Sequence, residues 1–170
     1  MKKRDDKPAA LDHALYEIVM LKHALNEVCR SRPPHEGSGW LEVFAIHARN
    51  LNEFFSSKDF GRGYMKPEHF VPWTYSYVFD KGLDRRASSQ VAHLTYDRER
   101  PEEKTQWPIE KIYRSLREQS LTFLKAVARV KSLMNYGTNQ ARTEELLRIL
   151  PQIHFASDSA VASDEGSAQT

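Results

Sequence analysis

The sequence predicts an all-α fold, a four-helix bundle with a short fifth helix and an aromatic-rich loop between the second and third helices. Four segments carry apolar residues at three- and four-residue spacings, the pattern of a helix that buries one face. Of the 170 residues 40% are hydrophobic, which is enough for a single core. We expect a flexible basic arm at residues 1–9, one helical domain at 10–152 and a disordered acidic tail at 153–170.

Composition excludes several classes of protein. No apolar run approaches the ~18 residues of a membrane span, and the first ten residues lack the apolar centre of a secretory signal. The single cysteine, Cys29, excludes an internal disulfide and fits a reducing compartment, so we expect a cytoplasmic protein. A net charge of +2 is too small to imply nucleic-acid binding by itself.

The first predicted helix covers residues 10–31, and the second covers 38–56. Pro33 and Pro34 disfavour helix, so residues 33–39 are expected to form a loop, with Ser38 as the next N-cap. The apolar stripe of the second helix consists of Trp40, Phe44, Leu51 and Phe54, with His47 inside it.

His47 has two interpretations. One is a buried histidine with one ring nitrogen hydrogen-bonded. The other is that His47 and Asn50, one turn apart, face a pocket that also holds His93.

Residues 56–81 lose the helical period and are rich in aromatic side chains. Aromatic residues interleaved with Arg62 and Lys66 could stack nucleic-acid bases. The alternative is that they cap an open end of the bundle, and we favour it because an apolar loop is costly to expose. The proposed capping residues are Phe70, Trp73, Tyr75, Tyr77 and Phe79.

The third predicted helix covers residues 82–97 and carries the only candidate catalytic pair. Arg86, Gln90 and His93 share one face, because residues seven apart differ by only ~20° around the axis and lie ~10 Å apart along it. Asp97 follows His93 by one turn and can orient its imidazole ring.

The fourth predicted helix covers residues 107–135, and a short fifth covers 143–150. A row of cations lies nearly opposite the apolar stripe of the fourth helix, and it is either a footprint for RNA backbone or a solvated outer face. These cations are Lys111, Arg114, Lys125 and Arg129. Gly137 is expected to be a left-handed cap. Without CxxC, HExxH or a phosphate-binding loop, no metal or cofactor is expected.

Arg86 and His93, with six residues between them, resemble the R-x4–6-H signature of the HEPN superfamily. The resemblance implies a homodimeric helical bundle, often a toxin or defence protein, in which the Arg and His of both subunits meet at the dimer axis. It also implies metal-independent ribonuclease activity, with His93 as general base on a ribose 2′-hydroxyl and Arg86 stabilising phosphate charge. The segments AIHARNLNEFF and VAHLTYDR also resemble small uncharacterised bacterial helical proteins, which implies no activity.

Two functions are therefore expected alternatives. The first is RNA binding or metal-independent RNA cleavage. The second is a non-catalytic helical module that binds a protein partner, in which Arg86 and His93 make only structural hydrogen bonds. Ala87 favours the second, because many active members of the family carry a polar residue at that position.

Overall fold

The computed structural model describes residues 6–30, 34–56, 64–75, 108–153 and 155, and regular structure within these ranges is entirely helical. The α-helices are α1 (Lys7–Val28), α2 (Pro34–Phe55), α3 (Ile109–Val127), α4 (Lys131–Met134) and α5 (Asn139–Ile149). Short 3₁₀ turns lie at Pro67–His69 and Leu150–Gln152. The described ranges are thus all-helical, as predicted. The predicted helix at 82–97 falls outside them, so the four-helix bundle stays a prediction.

Helix α1 begins at Lys7, inside the segment predicted to be a flexible arm. The Asp6 carboxylate accepts a hydrogen bond from the Ala9 amide at 3.4 Å, and Pro8 occupies the first turn. An acidic N-cap followed by an early proline is a favourable helix start, because the first amides have no partner inside the helix. Only residues 1–5 of the predicted arm lie outside the described residues.

Helix α2 begins at Pro34, so the prediction of a loop at residues 33–39 with a cap at Ser38 was wrong. Proline at the first helical position loses no hydrogen bond and has the backbone angle that a helix needs. The two glycines of this segment are tolerated within the helix at a cost in conformational entropy.

Gly39 offers a stabilising substitution. It is exposed, it lies within α2, and an added Cβ would have no atom within 4 Å. Gly39→Ala should therefore raise the free energy of unfolding by about 0.5–1 kcal/mol in urea titrations. Gly137→Ala is the matched control: it also has open space, but its φ of +50° strains any residue with a Cβ, so it should destabilise. A loss of stability in Gly39→Ala would contradict the helical start at Pro34.

Helices α1 and α2 form an antiparallel hairpin that packs on α3. Tyr16 lies beside His47 and His23 lies beside Trp40, with ring centroids 6.0 and 5.3 Å apart. The predicted apolar stripes face the core. Its fully buried large side chains include Leu11, Leu15 and Ile18 of α1, Phe44, Leu51 and Phe55 of α2, and Ile112, Leu116 and Leu124 of α3.

One end of this core is closed by aromatic rings around Phe123. Phe123 is fully buried, and its ring lies 5.2 Å from that of Phe54 and 6.0 Å from those of Phe70 and Trp73. Trp73 also stacks on Phe55 at 5.6 Å. The capping interpretation is confirmed for Phe70 and Trp73. Tyr77 and Phe79 lie outside the described residues.

The Lys66 side chain joins the loop that follows α2 to the last turn of that helix. Its ammonium donates to the carbonyl oxygens of Glu53 at 3.1 Å and Ser56 at 2.6 Å, where the helix dipole favours a cation. The same ammonium lies 5.9 Å from the ring centre of Tyr75, whose hydroxyl donates a short hydrogen bond to Glu68. Burial, and then that hydrogen bond and the Glu68 charge, raise the pKa of Tyr75.

Helix α3 ends at Val127, so the prediction of one helix to residue 135 was wrong. Val130 adopts an extended conformation (φ −99°, ψ 90°), and its carbonyl accepts from the amides of Leu133 and Met134 in the next turn. This change of direction buries Leu133 and Met134 in the core. Burial of two large apolar side chains outweighs the continuity of the helix.

Helix α5 begins at Asn139, four residues earlier than predicted. The fully buried Asn139 amide donates to the carbonyl oxygens of Pro8 at 2.9 Å and Leu133 at 3.0 Å. Gly137, two residues earlier, has φ +50°, which confirms the predicted left-handed conformation. Arg142 then pairs with Asp12 at 2.5 Å, so α5 is joined to the start of α1.

The chain after α5 stays in contact with the domain beyond residue 152. Arg117 donates to the Ile153 carbonyl at 2.8 Å. The Phe155 ring lies 5.9 Å from that of Tyr113 and 4.9 Å from the Arg114 guanidinium. Contacts with the domain therefore continue past the predicted tail boundary at residue 153, and residues 156–170 lie outside the described ranges.

Tyr113 is 1% exposed, and its hydroxyl has no hydrogen-bond partner in the described part of the chain. Burial raises the pKa of this phenol, and the nearby Arg117 charge opposes the rise. The folded protein therefore keeps a proton that the unfolded chain loses near pH ~10, and stability falls as pH rises beyond that point.

Tyr113→Phe should increase the free energy of unfolding by about 1 kcal/mol at neutral pH, because it removes an unpaired buried hydroxyl and keeps the ring. It should also flatten the loss of stability above pH ~10. Urea titrations at the two pH values measure both effects, with Tyr136→Phe, at an exposed position, as the control. Destabilisation at neutral pH would mean that the hydroxyl has a partner.

Candidate functional site

The predicted catalytic residues lie outside the described ranges. These are Arg86 and His93, together with the supporting Gln90 and Asp97. Their convergence, their distance from His47 and the expected approach of two subunits at this pair all stay predictions.

His47 belongs to a polar cluster on the surface of the α1–α2 hairpin. Its Nδ1 lies 2.7 Å from Glu17 Oε2, and the Asn50 amide donates to the same oxygen at 3.2 Å. The two side chains of the ion pair are 12% and 24% exposed. His47 is thus largely buried with one ring nitrogen hydrogen-bonded, which agrees with the first of its two interpretations.

The Glu17–His47 pair fixes the imidazole in one orientation. A carboxylate only accepts, so Nδ1 is the donor in this contact. Within the described ranges no group of three metal-binding side chains occurs. The described partners of His47 therefore tie α1 to α2.

Exposed apolar side chains lie near this cluster on both helices. Tyr16 and Val19 of α1 and Ile46 of α2 are 47%, 37% and 43% exposed, three of the five large hydrophobic side chains described as exposed. The helical spacing and the two ring contacts between α1 and α2 place further partly exposed side chains on the same side of the hairpin as these three residues. The hairpin face is defined here as Tyr16, Val19, Met20, His23, Trp40, Val43, Ile46 and His47.

Ionised side chains contribute little to the hairpin face. Glu17, beside the centre of the face, already accepts hydrogen bonds from His47 and Asn50. At its edges Asp12, one turn before Tyr16, pairs with Arg142, and the exposed Glu42 lies one turn before Ile46. On the outer side of α2, Arg49 pairs with Glu53 at 2.9 Å. A central surface of aromatic and aliphatic residues with few charges has the composition of the middle of a protein interface.

The four predicted RNA-binding cations do not form one uninterrupted basic surface. Lys111, Lys125 and Arg129 are exposed, and Arg129 lies beyond the end of α3. Arg114 is half-buried, pairs with Glu110 at 2.7 Å and packs on Phe155. The exposed carboxylate of Glu118 lies between Lys111 and Lys125 on the same side of the helix.

A shallow groove of about 540 Å³ lies along the first turns of α3. Its lining includes two carboxylates, Glu110 and Glu118, and two cations, Lys111 and Arg114. Because these charges balance, the groove does not favour phosphate over other ligands.

Sequence reasoning did not single out Glu17, Tyr16 or Ile46. Glu17 and Ile46 lie next to buried positions in α1 and α2, so periodicity alone assigns them to helix flanks. These residues could have been found from the antiparallel pairing of the two helices, which brings residue 17 opposite residue 47. That pairing depends on where each helix begins, and the start of α2 was predicted wrongly.

Comparison of the chain with protein-family models, curated proteins and solved structures gives no match. None of the helices in the described ranges is both long enough and apolar enough to cross a membrane.

Proposed function

We propose that this protein is a helical interaction module that binds a polypeptide partner through the hairpin face. The observation that carries the proposal is the joint exposure of Tyr16, Val19 and Ile46 on adjacent helices. Exposed large apolar side chains of this kind cost free energy in water, and where they cluster they are typical of protein-binding sites.

The described residues favour this function over RNA binding. Phe70 and Trp73, candidates for stacking on bases, use their rings to close the core. Arg114, a candidate for phosphate contact, is held by Glu110 and Phe155. Both features lower the RNA affinity that the sequence suggests, because stacking and phosphate contacts supply most of such affinity.

Site-specific photocrosslinking tests the proposed surface. Ile46 is replaced by p-benzoylphenylalanine in producing cells, and the same replacement of Tyr136, which is equally exposed at 43%, is the control. Discrete adducts with polypeptide should form from position 46 and not from position 136. Equal adducts from both positions, or none from either, would refute the interaction module.

A cleavage assay tests the alternative that the HEPN resemblance implies. Pure protein is incubated with labelled RNA in EDTA beside His93→Ala and Arg86→Ala. The interaction module predicts intact RNA throughout. Cleavage by the wild type that falls ~10²–10³-fold in both variants would replace it with a metal-independent ribonuclease. Equal cleavage in all three samples would indicate a contaminating nuclease.

A further inference from the structure

We infer that one end of the helical domain is a second binding surface, which takes a short acidic segment of a polypeptide. The surface is the basic end, defined as Lys7, Lys125, Arg129 and Lys131. The inference goes beyond the proposed function and does not involve the hairpin face.

Contacts between helices bring these cations to the same end of the domain. Asn139, at the start of α5, donates to the carbonyls of Pro8 in the first turn of α1 and Leu133 in α4. The end of α3 lies there too, because Phe123 packs on Phe54 in the last turn of α2, which runs antiparallel to α1. The basic end thus combines a cation from the start of α1, one from α4, and two from the last turn of α3 and the residues after it.

The charge of the basic end is not neutralised within the described part of the chain. All four cations are exposed, and none of them pairs with a described carboxylate. Arg49, Arg114 and Arg142, by contrast, each hold one. Of the carboxylates nearby, Asp12 is the partner of Arg142, and Asp6 caps α1. Uncompensated positive charge is therefore concentrated at this end.

The direction of the helices adds to this charge. Helices α1 and α5 both begin at the basic end, and neither has an acidic residue in its first turn. Lys7 is the first residue of α1, where the positive end of the helix dipole disfavours a cation. A cation at this position does not stabilise its own helix, so an anionic partner explains it better than helix stability does.

Exposed carboxylates limit the length of the anion that fits. Glu118 lies seven residues before Lys125, ~10 Å away along α3. Glu144 and Glu145 lie in the second turn of α5. An RNA strand or an anionic lipid surface would extend past the basic end and meet these carboxylates, which repel it. A short acidic segment of polypeptide fits between them.

Fluorescence polarisation of a labelled oligoglutamate peptide, with the full chain titrated to about 1 mM, tests the inference. The peptide should bind in ~0.1 M salt and dissociate in ~1 M salt, because salt screens exposed charges. Arg129→Glu and Lys131→Glu should each weaken binding roughly tenfold, because each sets a carboxylate against the peptide. Arg148→Glu is the matched control, since it changes the net charge equally at an exposed position near the far end of α5. It should weaken binding by at most about twofold.

Absence of peptide binding, or an equal loss in Arg129→Glu and Arg148→Glu, would overturn the inference. Tighter binding of an RNA strand of similar length, or of phosphatidylserine vesicles, than of the peptide would overturn it as well. Thermal melts check that the variants fold, and Arg129→Gln, which only removes the charge, replaces Arg129→Glu if that protein is unfolded. Photocrosslinking from position 46 decides the proposed function separately, whatever the peptide does.

Discussion

Phe123→Ala should lower the free energy of unfolding by about 3–5 kcal/mol, the range found for large aromatic residues in cores. Phe123 is fully buried, and its ring touches aromatic rings from α2 and from the loop after it. Truncation would leave a cavity that rigid neighbouring rings cannot easily fill. Equilibrium unfolding in urea measures the loss.

Two comparisons make the result specific to the ring cluster. Phe123→Leu keeps most of the volume and should lose less than half as much stability. Tyr136→Ala removes an exposed ring and should change the free energy by at most about 0.5 kcal/mol. A Phe123→Ala protein as stable as the wild type would show that the cluster does not close the core.

Lys66→Met should cost about 2–3 kcal/mol, because hydrogen bonds from a charged donor are stronger than neutral ones. The substitution keeps a long apolar side chain but removes the donor to the Glu53 and Ser56 carbonyls at the end of α2. Lys66→Arg retains the charge and should recover part of the loss. Thermal and urea unfolding of both variants measure the difference.

Hydrogen exchange also shows where in the fold the stability is lost. Hydrogen exchange should rise first in the last turn of α2, where the two carbonyls lose their donor, and in the turn at Pro67–His69. Uniform loss of protection across all helices, with none concentrated there, would contradict a local capping role for Lys66.

The sequence allowed prediction of helices with a strong apolar period. Phe44, Leu51 and Phe54 were assigned to the apolar stripe of the second helix and are buried. Their three- and four-residue spacing depends only on helix geometry. The capping role of Phe70 and Trp73 was also predictable, because exposing an apolar loop to water costs free energy.

Helix ends could not be predicted in the same way. Pro34 is one example, because proline can stand in the first turn of a helix as well as in a loop. Val130 is another, because a β-branched residue can stand on either side of a helix end. The helix ends depend on contacts between residues distant in sequence, such as the burial of Leu133 and the hydrogen bonds of Asn139. The Glu17–His47 pair was missed for the same reason, because it joins positions thirty residues apart.

The Asn139 bridge has a consequence for synthesis of the chain. Asn139 and Arg142 reach back to Pro8 and Asp12 over 131 and 130 residues, so α1 is anchored by a helix that is made long after it. On the ribosome the α1–α2 hairpin can form early, but this second side of α1 waits for α4 and α5. That side of the nascent hairpin is therefore exposed until α4 and α5 have been made, and during this interval it is susceptible to proteases and in need of chaperones.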